Sequence, residues 1–102
     1  MITDDRLNEL TRKAAEITGV DVPDISAEYD HTPDKNSIRW VRSYKIIRLT
    51  VSDWVAEMDE DTMTMMLVYF FDRVFNDYDA DMPDEVKAWV DANRHKWTEV
   101  EA

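Results

Sequence analysis

Nine residues, Met63 to Phe71, hold a single polar side chain, Thr64, and acids flank them on both sides in the stretch DEDTMTMMLVYFFDRVFNDYD, Asp59 to Asp79. Few folds can accommodate that pattern. Met63, Met66, Leu67, Phe70 and Val74 share one helical stripe, and Met65, Val68, Tyr69 and Phe71 widen it around most of the circumference. A helix apolar almost all round is covered on two sides. The expectation is therefore a central helix between a sheet and another helix. Asp59 or Asp61 is its N-cap, and the acids around them sit at the positive end of the helix dipole.

The other elements are read outward from this helix. Thr3 caps a helix running to Thr18, with Asp4 and Asp5 in its first turn. Leu7, Leu10, Ala14 and Ile17 form its inner stripe, and Gly19, the single glycine, suits a left-handed C′ position. After Pro23, the residues Ile25, Ala27, Tyr29 and His31 alternate with polar ones, which is strand periodicity. Thr32 to Asn36 is a turn by composition. In Ser37–Val51, Ile38 and Trp40 share one parity while Ile47, Leu49 and Val51 share the other. The parity change places a turn or a bulge near Arg42 to Lys45, giving either a hairpin or one long bulged strand. Ser52 and Asp53 cap a short helix, Trp54 to Met58. Pro83 suits the first turn of a last helix, with Asp81 or Met82 as cap and Val86, Trp89, Val90 and Trp97 on its inner face. The fold class is α+β: one domain over residues 1–102, with three main helices packed on a small antiparallel β-sheet of about three strands, in the order α-β-β-β-α-α.

Charge placement carries the functional expectation. The net charge of −11 comes from 23 acids against 12 bases. Residues 1–52 are net −1, residues 53–85 are net −10 with Arg73 as the sole base, and residues 86–102 are neutral. Solubility does not require such concentration, whereas a focused field steers association with a basic partner. The expected partner-binding residues are Asp59, Glu60, Asp61, Asp77, Asp79, Asp81, Asp84 and Glu85. They form two acidic shoulders, about 25–30 Å apart if the helix between them runs 15–20 residues at ~1.5 Å each. Lys35, Arg39, Arg42, Lys45 and Arg48, with Trp40 and Tyr44 among them, suggest a nucleic-acid contact. The whole-chain field repels phosphate, so solvent-facing sheet residues are the better account.

Chemistry is tested by motif. Asp77-x-Asp79-x-Asp81 begins like an EF-hand loop, but its sixth position is Met82 and its twelfth Ala88, where Gly and Glu are needed. The two histidines, His31 and His95, have no ligand-type partner at helical spacing, and there is no cysteine. One glycine rules out a Gly-rich phosphate loop. Met58, Met63, Met65 and Met66 read as core. Neither a catalytic residue, nor a metal site, nor a cofactor is expected. The N-terminal residues do not resemble a signal peptide and the run Met65–Phe71 is too short to span a bilayer, so a cytoplasmic protein is expected.

The segment RWVRSYKIIRLTVSDW from Arg39, followed by a capped apolar helix, resembles the core of small SprT/YgjP-like zinc metallopeptidase domains. The resemblance covers Arg39 to Val90. In that family a strand precedes an HExxH helix. Here Tyr69 and Arg73 have the spacing of the two histidines and Phe70 stands where the general base would be. The resemblance implies a domain without the zinc site, kept as a protein-interaction module. The charge pattern implies instead a non-enzymatic acidic binding protein that occupies a basic surface of a nucleic-acid-binding complex, a DNA-mimic inhibitor of the anti-CRISPR or anti-restriction kind. No membrane partner and no direct nucleic-acid contact are expected.

Overall fold

The computed structural model describes the backbone of residues 1–31, 37–41, 45–76 and 79–101, and the side chains of residues 1–31, 45–76 and 79–93. Its elements run α1 (Asp4–Thr18), β1 (Asp24–Asp30), β2 (Ser37–Val41), β3 (Ile46–Ser52), a 3-10 turn (Asp53–Glu57), α2 (Glu60–Phe71), a π turn (Asp72–Asn76) and α3 (Asp84–Glu101). The class is α+β with three helices.

α1 is delimited by local chemistry. Thr3 Oγ1 accepts from the Arg6 N–H at 3.2 Å, and Gly19 takes φ 75° to close the C-terminus. Leu7, Leu10, Thr11, Ala14 and Ala15 are its buried face. Ile17, expected on that face, is 58% exposed. At 3.6 residues per turn it lies about 90° from the centre of the buried set, at the edge of the stripe rather than within it.

The sheet order is β1-β3-β2. β2 and β3 form the antiparallel hairpin, with Ile38 opposite Leu49 and Trp40 opposite Ile47. Lys45, directly before β3, takes φ 53°. β1, however, pairs parallel with β3, Ile25 to Ile47 and Ala27 to Leu49, so the expected all-antiparallel sheet is corrected to a mixed one. Alternation along a strand decides which face it buries and says nothing about its neighbour. Here β3, last of the three in the chain, takes the centre.

α1 packs on both β1 and α2, and α2 in turn meets α3. Arg6 binds Glu60 at the start of α2, and Asn76 Nδ2 donates to the Thr18 carbonyl beyond its end. α1 and α2 therefore run parallel, tied at both ends. Leu7, Leu10, Ile47, Leu49, Met63, Leu67 and Phe71 are sealed in the core between these layers. α2 itself is half-covered on its far side, where Met65, Val68, Tyr69 and Phe70 are only partly buried. Its expected stripe ends early: Val74 is 52% exposed. In the π turn the hydrogen-bond ring gains a residue, which rotates later side chains off an α-helical stripe.

The ends of the fold are pinned. Ile2 is buried, its N–H donates to the Ala56 carbonyl at 2.7 Å, and its carbonyl accepts from the Tyr29 hydroxyl at 3.0 Å. Burial and the nearby Asp4 push the Tyr29 phenol up to about 12. Trp54 stacks on Trp89 with ring centres 5.7 Å apart, which seats α3 on the 3-10 turn. The side chain of Trp97 lies outside the described residues.

Candidate partner-binding surface

The acids expected to meet a partner divide into two groups with different local roles. Asp59 is the N-cap of α2. Its carboxylate accepts from the Thr62 hydroxyl at 2.7 Å and the Thr62 N–H at 3.0 Å, and these bonds hold it below the usual carboxylate range. Glu60 accepts two bonds from Arg6, from Nη2 at 2.7 Å and Nε at 3.0 Å, which likewise lower its pKa. Arg6 also donates to Glu9 at 2.6 Å, and its two carboxylate partners raise its own pKa. The first shoulder is thus largely occupied with holding α2 to α1. Of its three acids, Asp61 alone is exposed without such a role among the described contacts.

The second group follows the π turn. Asp79, Asp81, Asp84 and Glu85 are all exposed. Asp84 and Glu85 open α3, whose first intrahelical bond runs from the Lys87 N–H to the Pro83 carbonyl, making Pro83 the cap residue rather than Asp81 or Met82. Asp77 lies outside the described residues. α2 has twelve residues, or about 18 Å of helix, fewer than the 15–20 residues expected between the shoulders. Ala80, Asp81 and Pro83 face Met65, Val68 and Tyr69 across a groove of about 260 Å³.

This groove is the feature that charge counting missed. Its floor is the far face of α2, one wall is the returning link at Pro83, and Ile17 from the end of α1 forms another. Asp72 and Asp81 stand among the apolar lining residues. Asp72 is steadied by Asn76 Nδ2 at 2.9 Å. The base Arg73 turns back to donate to the Tyr69 hydroxyl at 2.6 Å, its guanidinium 6.0 Å from the ring centre. Two sequence signals could have found it, though both were read as core: Ile17 at one end of the α1 stripe, and an α2 apolar around most of its circumference.

The remaining polar candidates are structural pairs. Arg48 binds Asp24 across β3 and β1 at 2.9 Å, which lowers the Asp24 pKa. His31 Nδ1 lies 2.6 Å from Asp53 Oδ2, and that carboxylate raises the imidazole pKa. Among the described residues no three His, Cys, Asp or Glu side chains are grouped to hold a metal ion, and no helix is long and apolar enough to cross a membrane. Set against protein-family models, curated proteins and solved structures, the chain matches none of them.

Proposed function

We propose that this chain is a non-enzymatic acidic binding protein whose carboxylates occupy a basic, nucleic-acid-binding surface of a partner protein. The observation that carries the reading is the net charge of −10 across residues 53–85. Within that segment Asp59 and Glu60 also hold α2 in place, and Asp61, Asp81, Asp84 and Glu85 are exposed acids that would carry the contact, with Asp79 exposed beside them. Carboxylates fixed on a helix start and a returning link stand in for phosphates. The arrangement suits a DNA-mimic inhibitor of the kind that mobile elements direct against restriction or CRISPR complexes.

The test is affinity capture from the native host at low and at high salt, followed by competition of the captured partner with duplex DNA. The expected partner is a nucleic-acid-binding protein that is lost as salt rises and released by DNA. The triple reversal Asp79→Lys, Asp81→Lys and Asp84→Lys should abolish its capture. Capture that is indifferent to both salt and charge reversal would sink the reading.

A further inference from the structure

An apolar groove is rarely left open beside a dense row of acids without consequence for what can lie there. Met65, Val68 and Tyr69 are partly buried on the far face of α2, and Ile17 is 58% exposed at its edge. The groove, at about 260 Å³, falls below the ~300–1,000 Å³ of sites that enclose a small-molecule ligand. It is open rather than closed over, and sized for one or two side chains of a larger partner.

Its surroundings select the chemistry of that partner. Asp72 and Asp81 line the groove itself. Asp79, Asp84 and Glu85 are exposed just beside Asp81 in the chain, and the one base of this segment, Arg73, is engaged with Tyr69. A carboxylate rim around an apolar floor is complementary to a cationic segment with an apolar anchor. It opposes an acidic one, since like charges across an interface cost affinity. Met65 supplies an adaptable surface for an aliphatic or aromatic anchor.

We infer that the groove between Ile17, the Met65–Val68–Tyr69 face of α2 and Pro83 receives an apolar side chain from a Lys/Arg-rich segment of the partner protein, whose basic residues engage Asp72, Asp81 and the neighbouring acids. This inference rests on the acidic-binding reading above and adds to it a specific anchoring point. Charge brings the partner in, and the apolar contact decides its register.

The experiment uses the full chain, isotope-labelled, titrated with two synthetic peptides by NMR and calorimetry. One is a Lys/Arg-rich amphipathic helix with Leu at two positions one turn apart. The other is identical except for Ser at both. The Leu peptide should bind about tenfold or more tightly than the Ser peptide and shift the signals of Ile17, Val68 and Tyr69. Ile17→Asn, at a position 58% exposed, should remove most of that preference and leave the Ser peptide unaffected. Val68→Thr, close in shape, should reduce it in the same direction. Asp81→Lys with Asp84→Lys should weaken both peptides. Equal binding of the two peptides, lost on charge reversal, would overturn the anchoring groove and leave the acidic-binding reading standing. Leu-peptide binding that ignores charge reversal would overturn the cationic partner. Concentration-dependent self-association abolished by Ile17→Asn would assign the groove to a second copy of the chain and overturn the proposal. If neither peptide binds, the anchoring groove is overturned, while the acidic-binding reading is decided separately by the salt-dependent capture of the native partner.

Discussion

The side-chain amide of Asn8 and the backbone of Ala27 exchange two hydrogen bonds, Nδ2 to the Ala27 carbonyl at 2.8 Å and the Ala27 N–H to Oδ1 at 2.9 Å. A side chain from α1 thus behaves as one residue of a missing strand on the outer edge of β1. Exposed edge groups are a template for unwanted strand pairing, and here a helix satisfies them at the middle of the strand. The same Nδ2 donates to the Asp4 carbonyl at 2.9 Å, so its orientation is set.

Asn8→Ala is expected to destabilise the fold by about 2–3 kcal/mol, because it leaves a partly buried N–H and a carbonyl without partners. Asn8→Asp keeps the acceptor, loses the donor and should fall between. Urea unfolding measures both, and faster hydrogen exchange at the Ala27 amide localises the effect.

Asp59→Ala should cost about 0.5–2 kcal/mol through loss of the α2 cap, and Asp59→Asn or Asp59→Ser should restore most of it. Because bonds to Thr62 lower the Asp59 pKa in the folded chain, its contribution is present above the unfolded value and is lost as pH falls through the folded one. Glu60→Gln, at an exposed, solvent-screened pair with Arg6, should change stability little. Urea midpoints of the variants at neutral and acidic pH check the set.

His31 should titrate above the ordinary 6.5, since Asp53 raises its pKa. The sign follows: the stabilisation from this pair is complete below the unfolded value and disappears as pH rises through the folded one. The imidazole is 83% exposed, so the effect on overall stability is small and the titration itself is the readout. NMR of the ring protons should show the raised midpoint, and Asp53→Asn should bring it back toward 6.5.

Lys45 holds φ 53° at the start of β3, where a side chain is strained by about 1 kcal/mol. Lys45→Gly is expected to stabilise the chain by up to about that amount, less the added freedom of glycine when unfolded. Lys45→Asn should be close to neutral and Lys45→Val clearly worse. Thermal midpoints at moderate salt, where the lost charge matters least, separate the three.

Legibility in the sequence followed the range of the interactions. α1 was readable at both ends because Thr3 and Gly19 act within one turn. The break between β2 and β3 was readable because parity changes between Trp40 and Ile47, but parity alone left a hairpin and one long bulged strand as alternatives. The parallel neighbour of β3 was not, since nothing in Ile25 or Ala27 specifies Ile47 or Leu49 as a partner. The candidate site was half readable. Counting charge picked out Asp79, Asp81, Asp84 and Glu85, which are exposed. It also picked Glu60, whose partner Arg6 lies 54 residues away, and no local pattern announces that pairing. Helical periodicity carried the α2 stripe on to Val74, where the π turn breaks the period.

The central position of β3 has a consequence for how the chain is made. β1 and β2 both precede it, are not neighbours, and find their sheet partner only in residues 46–52. During synthesis, at about 5–20 residues per second, β1 waits more than a second beyond its own completion before any strand can pair with it. α1, already complete, is the one element available to receive it. In the finished fold the Asn8 amide holds the outer edge of β1 against α1, and the inner edge meets the strand that is made last.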